Sequence, residues 1–187
     1  VGYNPSGTAN SITITPYNEQ GNMLTGSAFT IPANGKYIGL IRNLNLPDQT
    51  AWFKLTATQP MVGFELFSTL DNQRIAAYAE QNGTGSKQGV FAKIEKDGWT
   101  GIAFVNTEFY PANVTLTAYR NDGMNVATAT IRVDSRAKVV KIAESIFSNS
   151  DISIASYIGF RSDRKVVGFQ LNGSSDDKML DGLPALY

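Results

Sequence analysis

The chain has 187 residues, 42% of them apolar and 17% charged, with 16 basic and 16 acidic side chains. This is a globular composition, and zero net charge gives no electrostatic footprint for a phosphate backbone, so nucleic acid is not expected as a partner. With no cysteine and no histidine, disulfides, thiolate metal sites, cysteine nucleophiles and the Ser-His-Asp triad are excluded.

The chain opens at "VGYNPSG", with no methionine and no basic start followed by an apolar run. A mature or trimmed fragment without a signal peptide is expected. No apolar run approaches the roughly 20 residues of a membrane helix, so no membrane insertion is expected.

The first strand signal is "SITITPYNEQG" (11–21). Ile12 and Ile14 point one way; Thr13, Thr15 and Tyr17 point the other. Alternation of this kind marks a half-buried antiparallel strand. The segment "GKYIGLIRNL" (35–44) reads as strand running into loop. In "WFKLT" (52–56), Phe53 and Leu55 share a face, opposite Trp52, Lys54 and Thr56. In "VGFEL" (62–66), Val62, Phe64 and Leu66 are expected to face the core, with Gly63 and Glu65 outward. The turns between them, "NEQG", "IPANGK" and "ATQP", carry the residues that turn geometry requires. A Gly- and Ser-rich stretch, "EQNGTGSKQG" (80–89), then reads as flexible linker.

Beyond it, "GVFAKIEKDGWTGI" (89–102) reads as two strands around the turn "EKDG". After this lead-in the chain repeats itself. A shift of 102 brings Asn4 onto Asn106, Thr13 onto Thr115, Tyr17 onto Tyr119, Gly21 onto Gly123 and Lys36 onto Lys138. After a three-residue insertion the shift becomes 105, and "VGFEL" meets "VGFQL" (167–171), Trp52 meets Tyr157 and Asp71 meets Asp176. "AKVVKIAESIF" (137–147), the counterpart of 35–45, also reads as strand into loop. Two in-order blocks with matched apolar patterning indicate an internal duplication.

Strand signals recur roughly every 8–14 residues, the rhythm of a β-sandwich. The expected fold is all-β: two tandem antiparallel β-sandwich domains, residues 1–80 and 89–187, joined by a linker at 81–88. Residues 88–94 fit either domain on sequence. Val1 aligns with Ala103, so the first copy lacks the lead-in hairpin. An edge left unpaired in this way invites pairing with another chain, including a second copy.

The segments "GWTGIAFVN" (98–106), "VTLTAYRNDG" (114–123), "VVGFQL" (166–171) and "LDGLPAL" (180–186) resemble a tandem repeat of secreted and surface proteins of bacteria, immunoglobulin-like or fibronectin-III-like. The first copy matches through "ITITPYNEQG" and "MVGFELF", but lacks the "GWTGI" strand, and its "AAYAEQ" matches "DGLPAL" poorly. The resemblance implies an extracellular or cell-surface location, a spacer or adhesion role, and a protein or cell-surface glycan as partner. It carries over no catalytic residue and implies no cofactor.

The candidate sites are few. Trp52 and Tyr157 occupy equivalent outward positions. As exposed rings they would stack on sugars, the mark of a carbohydrate-binding module; as structural rings they would cover the outward glycines Gly63 and Gly168. Trp99 reads as a core residue at a sandwich edge. Tyr17 and Tyr119 read as rings tucked against a loop. Asp176, Asp177 and Asp181 provide some of the six to eight oxygens of a calcium site, without EF-hand spacing; solvated acidic loops are the alternative. Asn82, Asn113 and Asn172 fit the glycosylation tripeptide. No phosphate loop, paired carboxylates or metal-ligand cluster is present. The expectation is no enzyme. The runners-up are a carbohydrate-binding module and an accessory domain of a secreted enzyme.

Overall fold

The computed structural model describes residues 1–69, 73–79, 83–148 and 150–187. The chain is nearly all antiparallel strand, as alternation and turn spacing require. The first half contains β1 (Gly2–Tyr3), β2 (Asn10–Tyr17), β3 (Ser27–Ile31), β4 (Lys36–Tyr37), β5 (Trp52–Ala57), β6 (Val62–Gly63), β7 (Glu65–Ser68) and β8 (Ile75–Tyr78). The second contains β9 (Ser86–Phe91), β10 (Gly98–Asn106), β11 (Ala112–Tyr119), β12 (Asn125–Val133), β13 (Lys138–Ile142), β14 (Tyr157–Ser174) and β15 (Leu180–Pro184), with one helical turn, α1 (Ala143–Ile146), after β13. A 3-10 turn, Ile41–Leu44, sits at the equivalent place in the first half. In both copies the expected strand-into-loop therefore runs into a helical turn.

The second half is a closed sandwich built around β14. The first part of this 18-residue strand pairs with β11 and β9, giving a layer ordered β12-β11-β14-β9. Its later part pairs with β10 and β15, giving β13-β10-β14-β15. The core lies between the layers. Phe91, Phe104 and Phe160 meet there, with ring centroids 5.0–5.7 Å apart. Val114, Leu116, Ile102 and Ile158 pack around them, all buried. The lead-in is not a hairpin. β9 and β10 do not pair with each other; both pair with β14, in different layers. The turn between them crosses the sandwich. Residues 86–91 thus belong structurally to the second half, and β9 begins inside the stretch expected as linker at 81–88.

The first half matches this framework at several turns and strand pairings. Asn4 and Asn106 are both fully buried. The Asn4 side chain donates to the carbonyls of Thr8, Ile31 and Pro32 and accepts from the Ser6 amide. The Asn106 side chain does the same with Tyr110, Val133, Asp134 and Glu108, each partner 102 residues on. In this way one amide satisfies three carbonyls where two strands end, groups that are costly to leave bare inside a protein. Gly21 and Gly123 share a left-handed φ, 82° and 83°, in a turn position where L side chains are disfavoured. The registers match too: Gly2↔Gly63 with Phe104↔Gly168, and Tyr17↔Trp52 with Tyr119↔Tyr157.

The halves differ where β14 has its counterpart. In the first half that strand is broken into β5, β6 and β7. Among the described residues β5 pairs only with β2, and β7 only with β8. Among the same residues no counterpart of β9 lies beside β5.

The expected facing of "VGFEL" is inverted. β14 alternates in its first four residues and again from Val166 to Asn172, so Ile158, Phe160, Val166, Gly168, Gln170 and Asn172 face inward and are buried. Val167, Phe169 and Leu171 face outward. The apolar row was expected in the core because it is apolar. In fact the core takes the glycine, against which Phe91 and Ala185 pack closely, and two amides. Asn172 accepts from the Thr100 hydroxyl at 2.9 Å, and Gln170 donates to Asn172 and to the Lys93 carbonyl.

Candidate functional site

The outward apolar row finds its cover in the other repeat. Phe67 and Tyr78, from the β7–β8 hairpin, meet the Phe169 ring edge-on at 5.6 and 4.8 Å. The Arg74 guanidinium lies 3.0 Å from the Asp177 carboxylate at the same contact.

The second contact between repeats is made by Trp52. Its ring stacks on Tyr17, its cross-strand neighbour, with centroids 4.4 Å apart and planes 11° from parallel. Its indole N–H donates to the Arg136 carbonyl at 2.8 Å. Lys138 donates to the Ala51 carbonyl. The Arg136 guanidinium lies 3.9 Å over the Phe109 ring and 5.8 Å from the centre of Tyr17. The turn of the first repeat sits tightly here: a Cβ on Gly21 would lie 2.0 Å from the Ser135 carbonyl oxygen, whereas one on Gly123 would meet nothing. The strand tips of the first repeat therefore rest on the 135–138 loop of the second.

Trp52 does not cover Gly63, as a structural ring at that position was expected to do, and Tyr157 does not cover Gly168. Gly63 lies against the Val1 backbone, and Gly168 faces the core. The rings pair across strands instead: Tyr157 stacks on Tyr119 at 5.2 Å. Tyr17, expected to tuck against a loop, stacks on Trp52 and has Arg136 of the 135–138 loop beside its ring; Tyr119 stacks on Tyr157. Both Trp52 and Tyr157 have one ring face occupied. The ring-over-glycine device is present elsewhere, with Trp99 packed on Gly173 and Tyr119 beside Gly159.

The carboxylates considered for calcium do not converge. Asp176 accepts from the Ser174 hydroxyl and pairs with Lys178, Asp177 pairs with Arg74, and Asp181 pairs with Lys93. Three separate cations divide them: two of the carboxylates lie in the β14–β15 turn and one on β15 itself. Among the described residues no group of three or more acidic, histidine or cysteine side chains is placed to hold a metal. Asp71, the repeat partner of Asp176, lies outside the described residues, as does Asn82. Asn172 is buried and hydrogen-bonded, which removes it as a glycosylation acceptor. Asn113 is exposed, and its amides bond the Asp163 carboxylate.

Titration follows these contacts. The Lys93 ammonium beside Glu95 holds that carboxyl below its ordinary value. The Asn113 backbone amide does the same for Asp163, and the Ser174 hydroxyl for Asp176. Glu65 goes the other way. Loss of solvation raises its pKa against the pull of the N-terminal ammonium and Lys138.

Sequence reasoning missed the paired buried asparagines and the 135–138 loop. The asparagines carried a signal, since both fall on the repeat. The loop carried none, because its partners lie about a hundred residues away.

No protein-family model and no curated protein matches the chain. Among solved structures, it is similar to the crystal structure of Thermotoga maritima 1070, at 13% identity and a TM-score of 0.46, over 55% of this chain and 95% of that one. It is also similar to the Anabaena sensory rhodopsin transducer, at 16% identity and a TM-score of 0.38, over 45% and 93% of the two chains. FlgD from P. aeruginosa gives 14% identity and a TM-score of 0.28, over 56% and 74%. At these scores the likenesses identify neither family nor ligand.

Proposed function

We propose that the chain is a non-catalytic structural or adhesive module of an extracellular or cell-surface bacterial protein: two immunoglobulin-like or fibronectin-III-like sandwiches that arose by duplication. The observation that carries this reading is the junction. Rings and loops of the two halves hold one to the other, through Trp52 and Arg136 on one side and Phe67, Tyr78 and Phe169 on the other. Such a connection suits a spacer, which must hold its orientation while loops and edges make contacts. The stacked and hydrogen-bonded Trp52 favours this over a sugar platform, which needs free coplanar rings on one face.

The test is tryptophan fluorescence titrated with a panel of soluble polysaccharides, in the wild type and in Trp52→Ala. A flat response, with the variant losing roughly 1–3 kcal/mol of stability through the lost stack and indole hydrogen bond, is the expected result. A saturable shift that vanishes in the variant would replace the spacer reading with a carbohydrate-binding one.

A further inference from the structure

In the second repeat, two features of β14 are covered. Its first part is paired by β9, so that Phe160 is 3% exposed. The outward row Val167, Phe169 and Leu171 is half-buried, with Phe169 beneath Phe67 and Tyr78 of the preceding hairpin. Among the described residues the first repeat leaves both features uncovered. Leu55, the counterpart of Phe160, is 43% exposed on β5, which among the described residues is paired on one side. Val62, Phe64 and Leu66, the counterparts of the outward row, are 65%, 43% and 54% exposed. A free strand edge beside an apolar row is a surface that pairs with other strands.

We propose that this surface is the acceptor for another repeat of the same kind, which lays an extended strand like β9 along β5 and sets hairpin rings on Val62, Phe64 and Leu66. The partner's chemistry is read from the chain itself. Subtracting 105 from the β14 side of the β9 register places a residue like Phe91 opposite Phe53, and a small residue like Gly89 opposite Leu55. Main-chain hydrogen bonds provide affinity, and the inward ring adds specificity by filling the open end of the core, as in strand addition generally. The Val1 and Phe64 backbones exchange hydrogen bonds, which sets β1 beside the start of β7. The same tip-to-loop contact that joins the two repeats here is heterologous, and heterologous contacts propagate into arrays.

This deepens the reading of the chain as a structural module. Its test is separate, since strand capture is measured without reference to glycan or adhesion. The full 187-residue chain is mixed with a synthetic peptide of residues 86–94, and backbone hydrogen exchange is mapped. The expected result is saturable binding with exchange at the outward amides of 53–57 slowed at least tenfold. A peptide carrying Phe91→Lys, and the Leu55→Lys chain, should both abolish it. Leu55 is exposed, so that variant folds; unchanged fluorescence of Trp99 checks the second repeat. Three results overturn the proposal: no slowing at 53–57, slowing confined to 158–161 by displacement of the resident β9, or protection of 53–57 without peptide. The last, if it rises with protein concentration, would instead make the edge a contact between two copies of the chain.

Discussion

The two halves of the chain share a frame but differ in closure. The frame is the set of bonds around Asn4 and Asn106 and the paired registers, identical position by position. Closure depends on the strand that precedes the frame. Where β9 and the start of β10 are present, three phenylalanines fill the middle of the sandwich. In the first half, where no β9 counterpart lies beside β5 among the described residues, Gly2 stands in the place of Phe104, and Leu55 is 43% exposed. The comparison separates what a repeat needs in order to fold its turns from what it needs in order to fill its core.

The largest expected effect comes from the core. Phe160→Ala should cost about 3–5 kcal/mol, because a buried ring leaves a cavity, whereas Leu55→Ala should cost under about 1 kcal/mol. Chemical denaturation reads both, and each repeat has its own probe, since Trp52 lies in the first and Trp99 in the second. Equal costs would mean that the first repeat is closed in solution.

The shared frame predicts a more even response. Asn106→Ala and Asn4→Ala should each cost on the order of 3 kcal/mol in the local probe, since each strips three carbonyls of their donor. A loss confined to Asn106 would show that the first frame is held by something other than its asparagine.

The smallest effect is in pH, and here the halves should oppose each other. The lowered pKa values of Glu95, Asp163 and Asp176 contribute stability to the second repeat that is present above the ordinary carboxylate range, near pH 4, and is lost as pH falls through the lowered values. The raised pKa of Glu65 contributes stability to the first repeat that is complete below about pH 4 and is lost as pH rises through the folded value. Denaturation midpoints followed in Trp99→Phe and Trp52→Phe chains, each reporting one repeat, should move in opposite directions between about pH 6 and about pH 3.5. Parallel movement would place Glu65 in open solvent.

Much of the architecture is legible in the amino-acid sequence. The β class follows from the period of two in "SITITPY" and "NVTLTAY", because a strand shows alternate residues to opposite faces whatever surrounds it. The correspondence of Tyr17 with Tyr119 and Asn4 with Asn106 is also legible, because turns and strand starts are built from local residues. The facing of Val167, Phe169 and Leu171 is not. A period fixes which residues share a face but not which face is inside, and an apolar row facing a second repeat looks the same in sequence as one facing a core. The role of Trp52 is hidden for the same reason: its acceptor, the Arg136 carbonyl, is 84 residues away. Local sequence therefore determined the strands and the turns. Only the tertiary structure decided which apolar surfaces were buried between layers, which lay between repeats, and which were left open, because burial is a property of what the rest of the chain brings alongside.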